Sequence, residues 1–271
     1  MKKTVLGILI FCIALSVMLT AAGCGNTQTQ QPKDDSLQKV LDAGELILGL
    51  DTEFPPMGFK NDSGEIIGFD IDVAHEVCNR LGVTLVKKGI NWDDKEDDLN
   101  SGKIDCIWNG MSVTPGRAES MNLSESYMKN EVIVVILDDS NIEGLRDLTG
   151  RKLGVQSGST AEDVLKESEK ITNASVFKYD DNRELLKKLD EGEIDAALVD
   201  SIVAYYLILQ SERQYYILPD SLAEEEYAIG FRKEDNTLRD RVQEILKEMK
   251  ADGALGSISK KWFGSDITIV K

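Results

Sequence analysis

Arg117 closes the stretch Asn109-Gly110-Met111-Ser112-Val113-Thr114-Pro115-Gly116-Arg117, and the chemistry this arrangement suits is recognition of a carboxylate. A short apolar run, Ile104 to Trp108, precedes it and reads as a buried strand. Thr114 and Pro115 have the form of an N-cap and a first helical residue, because proline's missing N–H is not needed there. The guanidinium fork then falls beside free amides in the first turn of a helix, at the end of a strand. On this stretch alone, a surface arginine after a turn is an equal reading.

A second segment copies the layout about ninety residues on. Leu99-Asn-Ser-Gly102-Lys-Ile104-Asp105 is matched by Leu189-Asp-Glu-Gly192-Glu-Ile194-Asp195, and both read as a helix end, a glycine stop and a strand. The first strand runs out at Asn109-Gly110 and the second at Val199-Asp200. Leu48-Gly-Leu-Asp51-Thr52 and Leu153-Gly-Val-Gln156-Ser157 form an earlier pair in the same order. Two similar α/β halves facing each other are expected.

The elements that must hold these positions follow from periodicity. In the first half a helix from Ser36 to Ala43 leads to a strand at 46–50, a rigid loop at 51–56 and an amphipathic helix at 70–81. A strand near 83–89 and a helix ending at Gly102 come next, and Glu131 to Leu137 is rich in β-formers. The second half alternates strand 152–155, helix from about 159, strand 175–178, helix 182–190, strand 195–199 and helix from 201. Ser159-Thr160-Ala161-Glu162 and Asp181-Asn182-Arg183-Glu184 have capping-box form. Such alternation predicts a largely parallel sheet with ligands at the carboxyl ends of its strands. A strand at 227–232 and helices at 236–250 and 253–262 complete the chain. The expected division is a leader at 1–23, a tether at 24–35, one lobe from 36–138 with 230–271, and a second from 139–229.

The chain begins with Lys2 and Lys3, an apolar run from Val5 to Leu19, and Ala21-Ala22-Gly23-Cys24, the pattern of a secretory signal. About fifteen apolar residues are short for a membrane span. Cys24 after small residues resembles a bacterial lipobox, although Ala21 stands where leucine is usual. Cys24 is therefore the expected site of acyl (palmitate) attachment. The polar run after it reads as a flexible tether. The protein is expected outside the cytoplasmic membrane, held to it by lipid.

With 42% hydrophobic and 29% charged residues the 271-residue chain is otherwise an ordinary globular one. Its formal charge of −17 argues against nucleic acid, which needs a basic footprint. Of four cysteines, Cys12 lies in the leader and Cys24 in the lipobox, leaving Cys78 on an apolar helix face and Cys106 in a strand. Neither has a metal-type partner nearby in sequence, so buried free thiols are the first reading and a disulfide the second. The single histidine, His75, lies on a helix away from every strand end. No zinc spacing, Walker loop or Ser-His-Asp arrangement is present. No metal or cofactor is expected.

From Ser36 onward the chain resembles the extracellular solute-binding proteins of family 3, which capture polar amino acids for ABC importers. Asp51-Thr-Glu-Phe-Pro-Pro, Gly68-Phe-Asp-Ile-Asp-Val-Ala, Gly110-Met-Ser-Val-Thr-Pro-Gly-Arg, Gln156-Ser-Gly-Ser-Thr and Leu198-Val-Asp200 carry the resemblance, together with the late Trp262. It implies an α/β, two-lobed, type II periplasmic-binding fold with mostly parallel sheets joined by a two-strand hinge. It implies that Arg117 and Ser112 hold a ligand α-carboxylate, with Thr160 meeting it from the second lobe. Asp200 and the carbonyl of Gly110 take the α-ammonium, and Phe54 and Trp92 sandwich the side-chain stem. Asp51 contacts a polar side chain, with Asn109, Gln156 and Ser159 as neighbours. Plain core positions for Phe54 and Trp92, an N-cap role for Asp200 and a turn cap for Asp51 are the bland alternatives.

The expectation is a monomeric, non-enzymatic receptor that binds a polar or basic amino acid, closes on its hinge and delivers to a permease. A glutamate or aspartate ligand would need a second cation in the pocket, and none is evident from the sequence. A receptor that signals to a membrane sensor is one alternative. A cyclohexadienyl-dehydratase-like enzyme using Asp51 or Glu53 is another.

Overall fold

The computed structural model describes residues 34–211 and 213–271. The expected leader, Cys24 and the tether as far as Lys33 lie outside them. Residues 34–271 form one compact unit. Asp34, at the end of the expected tether, accepts from the amides of Ser36 at 3.0 Å and Thr237 at 2.6 Å.

In the first half, helix α1 (Ser36–Ala43) leads into β1 (Glu45–Leu50). A small antiparallel sheet of β2 (Glu53–Phe54), β3 (Gly58–Lys60) and β4 (Ile66–Ile67) follows, within and beyond the stretch expected as loop. Then come α2 (Phe69–Leu81), β5 (Thr84–Gly89), α3 (Lys95–Asn100), β6 (Cys106–Ser112), α4 (Pro115–Ser120) and β7 (Asn122–Leu123). β8 (Met128–Leu137) crosses to the second half, which contains β9 (Lys152–Gln156), α5 (Thr160–Glu167), β10 (Ser175–Tyr179), α6 (Asn182–Asp190), β11 (Ala196–Asp200), α7 (Ser201–Gln210) and β12 (Tyr215–Ile217). β13 (Ala223–Phe231) crosses back, and α8 (Asn236–Asp252) and α9 (Ala254–Phe263) end the fold.

The large sheet runs β10-β9-β11-β8-β13-β6-β1-β5, with β12 on β8 and β7 on β13. Its two wings are parallel, β5 and β6 flanking β1 and β10 and β11 flanking β9. Its middle is antiparallel: β8 pairs with β11 along 132–135, with β13 along 128–132, and β13 passes on to β6. This is the α/β, two-lobed type II architecture, each parallel wing belonging to one lobe and the two crossing strands joining them.

The crossing strands also explain two boundaries. β6 continues beyond Asn109 to Ser112, because Met111 and Ser112 find backbone partners in Ala228 and Tyr227. β8 begins three residues before Glu131, because Met128 to Asn130 pair with Tyr227 to Glu225. Unpaired backbone groups would be costly at this depth, so tertiary pairing extends strands through polar residues. The apolar faces of α2 (Val73, Val77, Cys78) and α8 (Leu238, Val242, Ile245) are buried in one cluster with β1 and β6 residues, which fixes the first wing. Cys78 and Cys106 are both buried free thiols.

Candidate ligand-binding cleft

The carboxyl ends of β1, β6, β9 and β11 deliver the predicted side chains to one place. Phe54, Trp92, Gly110, Ser112, Arg117, Gln156, Ser159, Thr160 and Asp200 line a single cavity, drawn from both halves of the chain. The space left between them is about 10 Å³, close to the ~10–15 Å³ that one water molecule needs. An amino acid is far larger than this space. Asp51 and Asn109 stand just behind this wall. The Asp51 amide donates to Asn109 Oδ1 at 2.9 Å, and Asp51 Oδ1 accepts from the Glu53 amide at 2.8 Å, so the turn-cap role is realised. Asp51 Oδ2 reaches the other half through Gln156, whose Nε2 donates to it at 2.7 Å. Gln156 Oε1 is held in turn by Asn182 Nδ2 at 2.9 Å. Burial raises the Asp51 carboxyl to about 6, against the pull of these donors.

Arg117 is placed as its local sequence directs. Thr114 caps α4 through its hydroxyl, Pro115 takes the first helical position, and Arg117 is 7% exposed. Its donors meet neutral acceptors: Ser112 O at 2.8 Å, Thr160 Oγ1 at 3.4 Å and Gly158 O at 3.4 Å. Among the described residues no carboxylate lies within ion-pair distance of it, and burial pushes its proton affinity down. A buried charge without a counter-charge is costly, and the site therefore selects an anion. The amino end of α5, capped by the Ser159 hydroxyl on the Glu162 amide, lies against the same guanidinium. On the other side is Asp200. It occupies the N-cap position of α7 but makes no side-chain cap. Instead its Oδ1 accepts from Tyr227 Oη at 3.0 Å and from Asn130 Nδ2. Burial, and the Glu225 carboxylate after it, push its pKa up. A cation brought to Asp200 would relieve that cost.

An anion-selecting and a cation-selecting group lining one small cleft fit a zwitterion. Residues 46–265 match the model of the bacterial extracellular solute-binding proteins, family 3. The chain belongs to that family. It is 32% identical over 268 residues to the arginine-binding extracellular protein ArtP of Bacillus subtilis, covering 97% of this chain and 98% of that one. It is 29% identical over 256 residues to the L-cystine-binding protein TcyJ of Escherichia coli, covering 94% and 96%. Among solved structures, an ABC uptake transporter substrate-binding protein from Streptococcus pneumoniae with bound histidine superposes with a TM-score of 0.84 at 35% identity, over 88% of this chain and 99% of that one.

This member of the solute-binding family also carries cleft residues that its sequence did not single out. Lys95, on α3, is only 6% exposed. Its ammonium donates to Trp92 O at 3.0 Å and to Gly158 O at 3.2 Å, and sits 5.1 Å from the Trp92 ring centroid. Burial, then Arg117, lower it to about 8. A second buried cation thus stands beside the cleft wall, where none was expected. Asp70, on α2, is fully buried, and its Oδ2 accepts from the Gly110 amide at 2.7 Å and Tyr127 Oη at 3.0 Å. That bond holds Gly110 at φ +58°, a left-handed conformation suited to glycine. Burial raises Asp70 to about 7. Glu225 accepts from Ser112 Oγ at 2.7 Å and Asn130 Nδ2 at 3.0 Å, so Asn130 bridges it to Asp200. His75 lies apart, exposed on α2 beside Asn79.

Proposed function

We propose that this chain is the lipid-anchored, extracytoplasmic amino-acid receptor of an ABC importer. It clasps a polar or basic L-amino acid between its lobes and presents it to a membrane permease. The observation that carries the reading is the buried Arg117 guanidinium, whose hydrogen-bond partners among the described residues are all neutral, lining the same narrow cleft as the partly buried Asp200 carboxyl. An α-carboxylate supplies the missing counter-charge to the first and an α-ammonium does so for the second. A ligand that touches both lobes favours their closed arrangement by its differential affinity. Opening on the strands 128–132 and 223–227 gives access, with lobe limits near 138/139 and 229/230. The named ligands of the relatives, arginine, cystine and histidine, share the zwitterionic head and differ in the side chain. At the side-chain end, Asp51 behind Gln156 favours a polar or basic group. Cys24, directly after a secretory leader at 1–23, supplies the anchor.

Arg117→Ala and Asp200→Ala test this reading, with unfolding curves as the control for folding. Truncating one partner of a buried charge pair costs about 2–5 kcal/mol, roughly 30-fold or more in Kd. Calorimetric titration with the cognate amino acid should show that loss in both variants. Affinity near that of the natural chain in either variant overturns the site assignment.

A further inference from the structure

Glu225 is buried and does not line the ligand cleft, yet its contacts lead to a cleft residue of each half. It stands opposite Asn130 where the crossing strands β13 and β8 pair. Its Oε2 accepts from Ser112 Oγ of the first half at 2.7 Å and from Asn130 Nδ2 at 3.0 Å, while its Oε1 has no partner. The same Asn130 Nδ2 donates to Asp200 Oδ1 of the second half, which also accepts from Tyr227 Oη at 3.0 Å. One amide nitrogen thus ties two carboxylates together. Every donor in this cluster, from Ser112, Asn130 and Tyr227, is neutral. Arg117 belongs to the same wall, but its guanidinium meets Ser112 O, Thr160 Oγ1 and Gly158 O. Among the described residues neither carboxylate forms an ion pair. Two like charges held together in such a site disfavour each other's ionisation.

Resting on the receptor reading above, we propose that Glu225 is a positioning residue for amino-acid capture: it keeps a proton on the Asp200 carboxyl of the ligand-free cleft, and the incoming α-ammonium expels that proton. The exchange balances. The Asp200 O–H bond breaks, its proton passes to solvent, and the freed carboxylate accepts from an ammonium N–H. Ser112 and Asn130 hold the Glu225 charge beside Asp200 without letting it enter the cleft. The titratable or charged groups that act on Asp200 are Glu225 and Tyr227 from β13 and Arg117 from α4. Burial first, and Glu225 second, raise the Asp200 carboxyl from 3.8 to about 7. Below that value capture must displace a proton, and above it the proton is already gone. Binding should therefore strengthen as pH rises towards about 7 and then level off.

Carbon-13 NMR of the full chain, labelled at its aspartate carboxyl carbons and stripped of carried-over ligand by unfolding and refolding, follows Asp200 directly. Its signal is the one missing from Asp200→Asn. That signal should titrate near neutral pH, and at lower pH in Glu225→Gln, because glutamine keeps an oxygen for Ser112 and Asn130 but carries no charge. This arm needs no amino acid, so its failure is distinct from failure of the receptor reading, and the natural chain alone can refute it. Calorimetry with L-arginine then compares the natural chain and Glu225→Gln between about pH 5.5 and 7.5. Across that range the natural Kd should fall about tenfold or more, with a proton released on binding, and the Kd of the variant should fall severalfold less. Asp51 and Asp70 titrate in both proteins and cancel from the ratio of the two constants. An Asp200 signal that titrates in the ordinary carboxylate range, a midpoint unchanged in Glu225→Gln, or parallel pH profiles of the kind a merely structural Glu225 gives, each overturns the proposal.

Discussion

Replacing Asp70 with asparagine should change how the stability of this protein depends on pH. The Asp70 carboxyl is fully buried, and burial raises it from 3.8 to about 7 although Gly110 N–H and Tyr127 O–H both donate to it. Trp108 Nε1 faces the same carboxyl without reaching hydrogen-bond geometry. Between these values the folded chain keeps a proton that the unfolded chain has released, so raising the pH favours unfolding. The stabilisation is fully present below the unfolded value and is lost as pH rises through about 7. At about 1.36 kcal/mol per unit, a shift of about three units amounts to about 4 kcal/mol. Asparagine can accept the same two bonds and does not titrate. The stability of Asp70→Asn minus that of the natural chain should therefore climb by up to about 4 kcal/mol from about pH 4 to pH 7, then level off. Urea unfolding of both proteins across that range measures the difference, in which the other titrating groups cancel. A difference that stays flat, or falls with pH, would refute the placement of a buried, proton-holding Asp70 beneath Gly110.

Three further outcomes follow from the cleft. Gly110→Ala would put a Cβ 2.8 Å from Phe54 Cε1 at a positive φ; at about 2 kcal/mol or more, the Tm should fall by about 4–8 °C. Lys95→Met keeps the packed stem but removes the donor to Trp92 O and Gly158 O. Stopped-flow should show faster ligand dissociation and about tenfold weaker binding, whereas an unchanged Kd would mean that Lys95 does not support closure. Asp51→Asn removes the charge behind Gln156; titration with arginine and with glutamine should show a loss concentrated in the basic ligand, and equal losses would place the side-chain end elsewhere.

The cleft was legible where residue type and local structure coincide. Thr114-Pro115 announces a helix start that puts Arg117 at a strand end, and the Ser159 and Asp181 caps announce α5 and α6. These signals depend on neighbours in sequence. Lys95 gave none, because Lys-Glu-Asp-Asp in α3 reads as a solvated face. Its burial comes from Gly158, a residue of the other half. Glu225 was hidden similarly within Glu224-Glu225-Glu226, and only pairing with Asn130 turns the middle carboxylate inward while its neighbours stay exposed. The same cause hid the start of β8 and the end of β6. The short strands β7 and β12 likewise exist through their partners β13 and β8. For Asp200 the sequence left an N-cap role as the bland alternative, and the structure shows no such cap, its carboxylate accepting instead from Tyr227 and Asn130.

Thermal unfolding of the full chain against the twenty amino acids and cystine, after unfolding and refolding to strip carried-over ligand, tests the central claim most directly. A ligand that binds the folded state alone at a hundred times its Kd adds about 2.7 kcal/mol. One or a few polar or basic amino acids should raise the Tm, and Arg117→Ala should abolish the rise. The absence of a shift with any of them, or a shift that survives in Arg117→Ala, would contradict an amino-acid receptor built on this cleft.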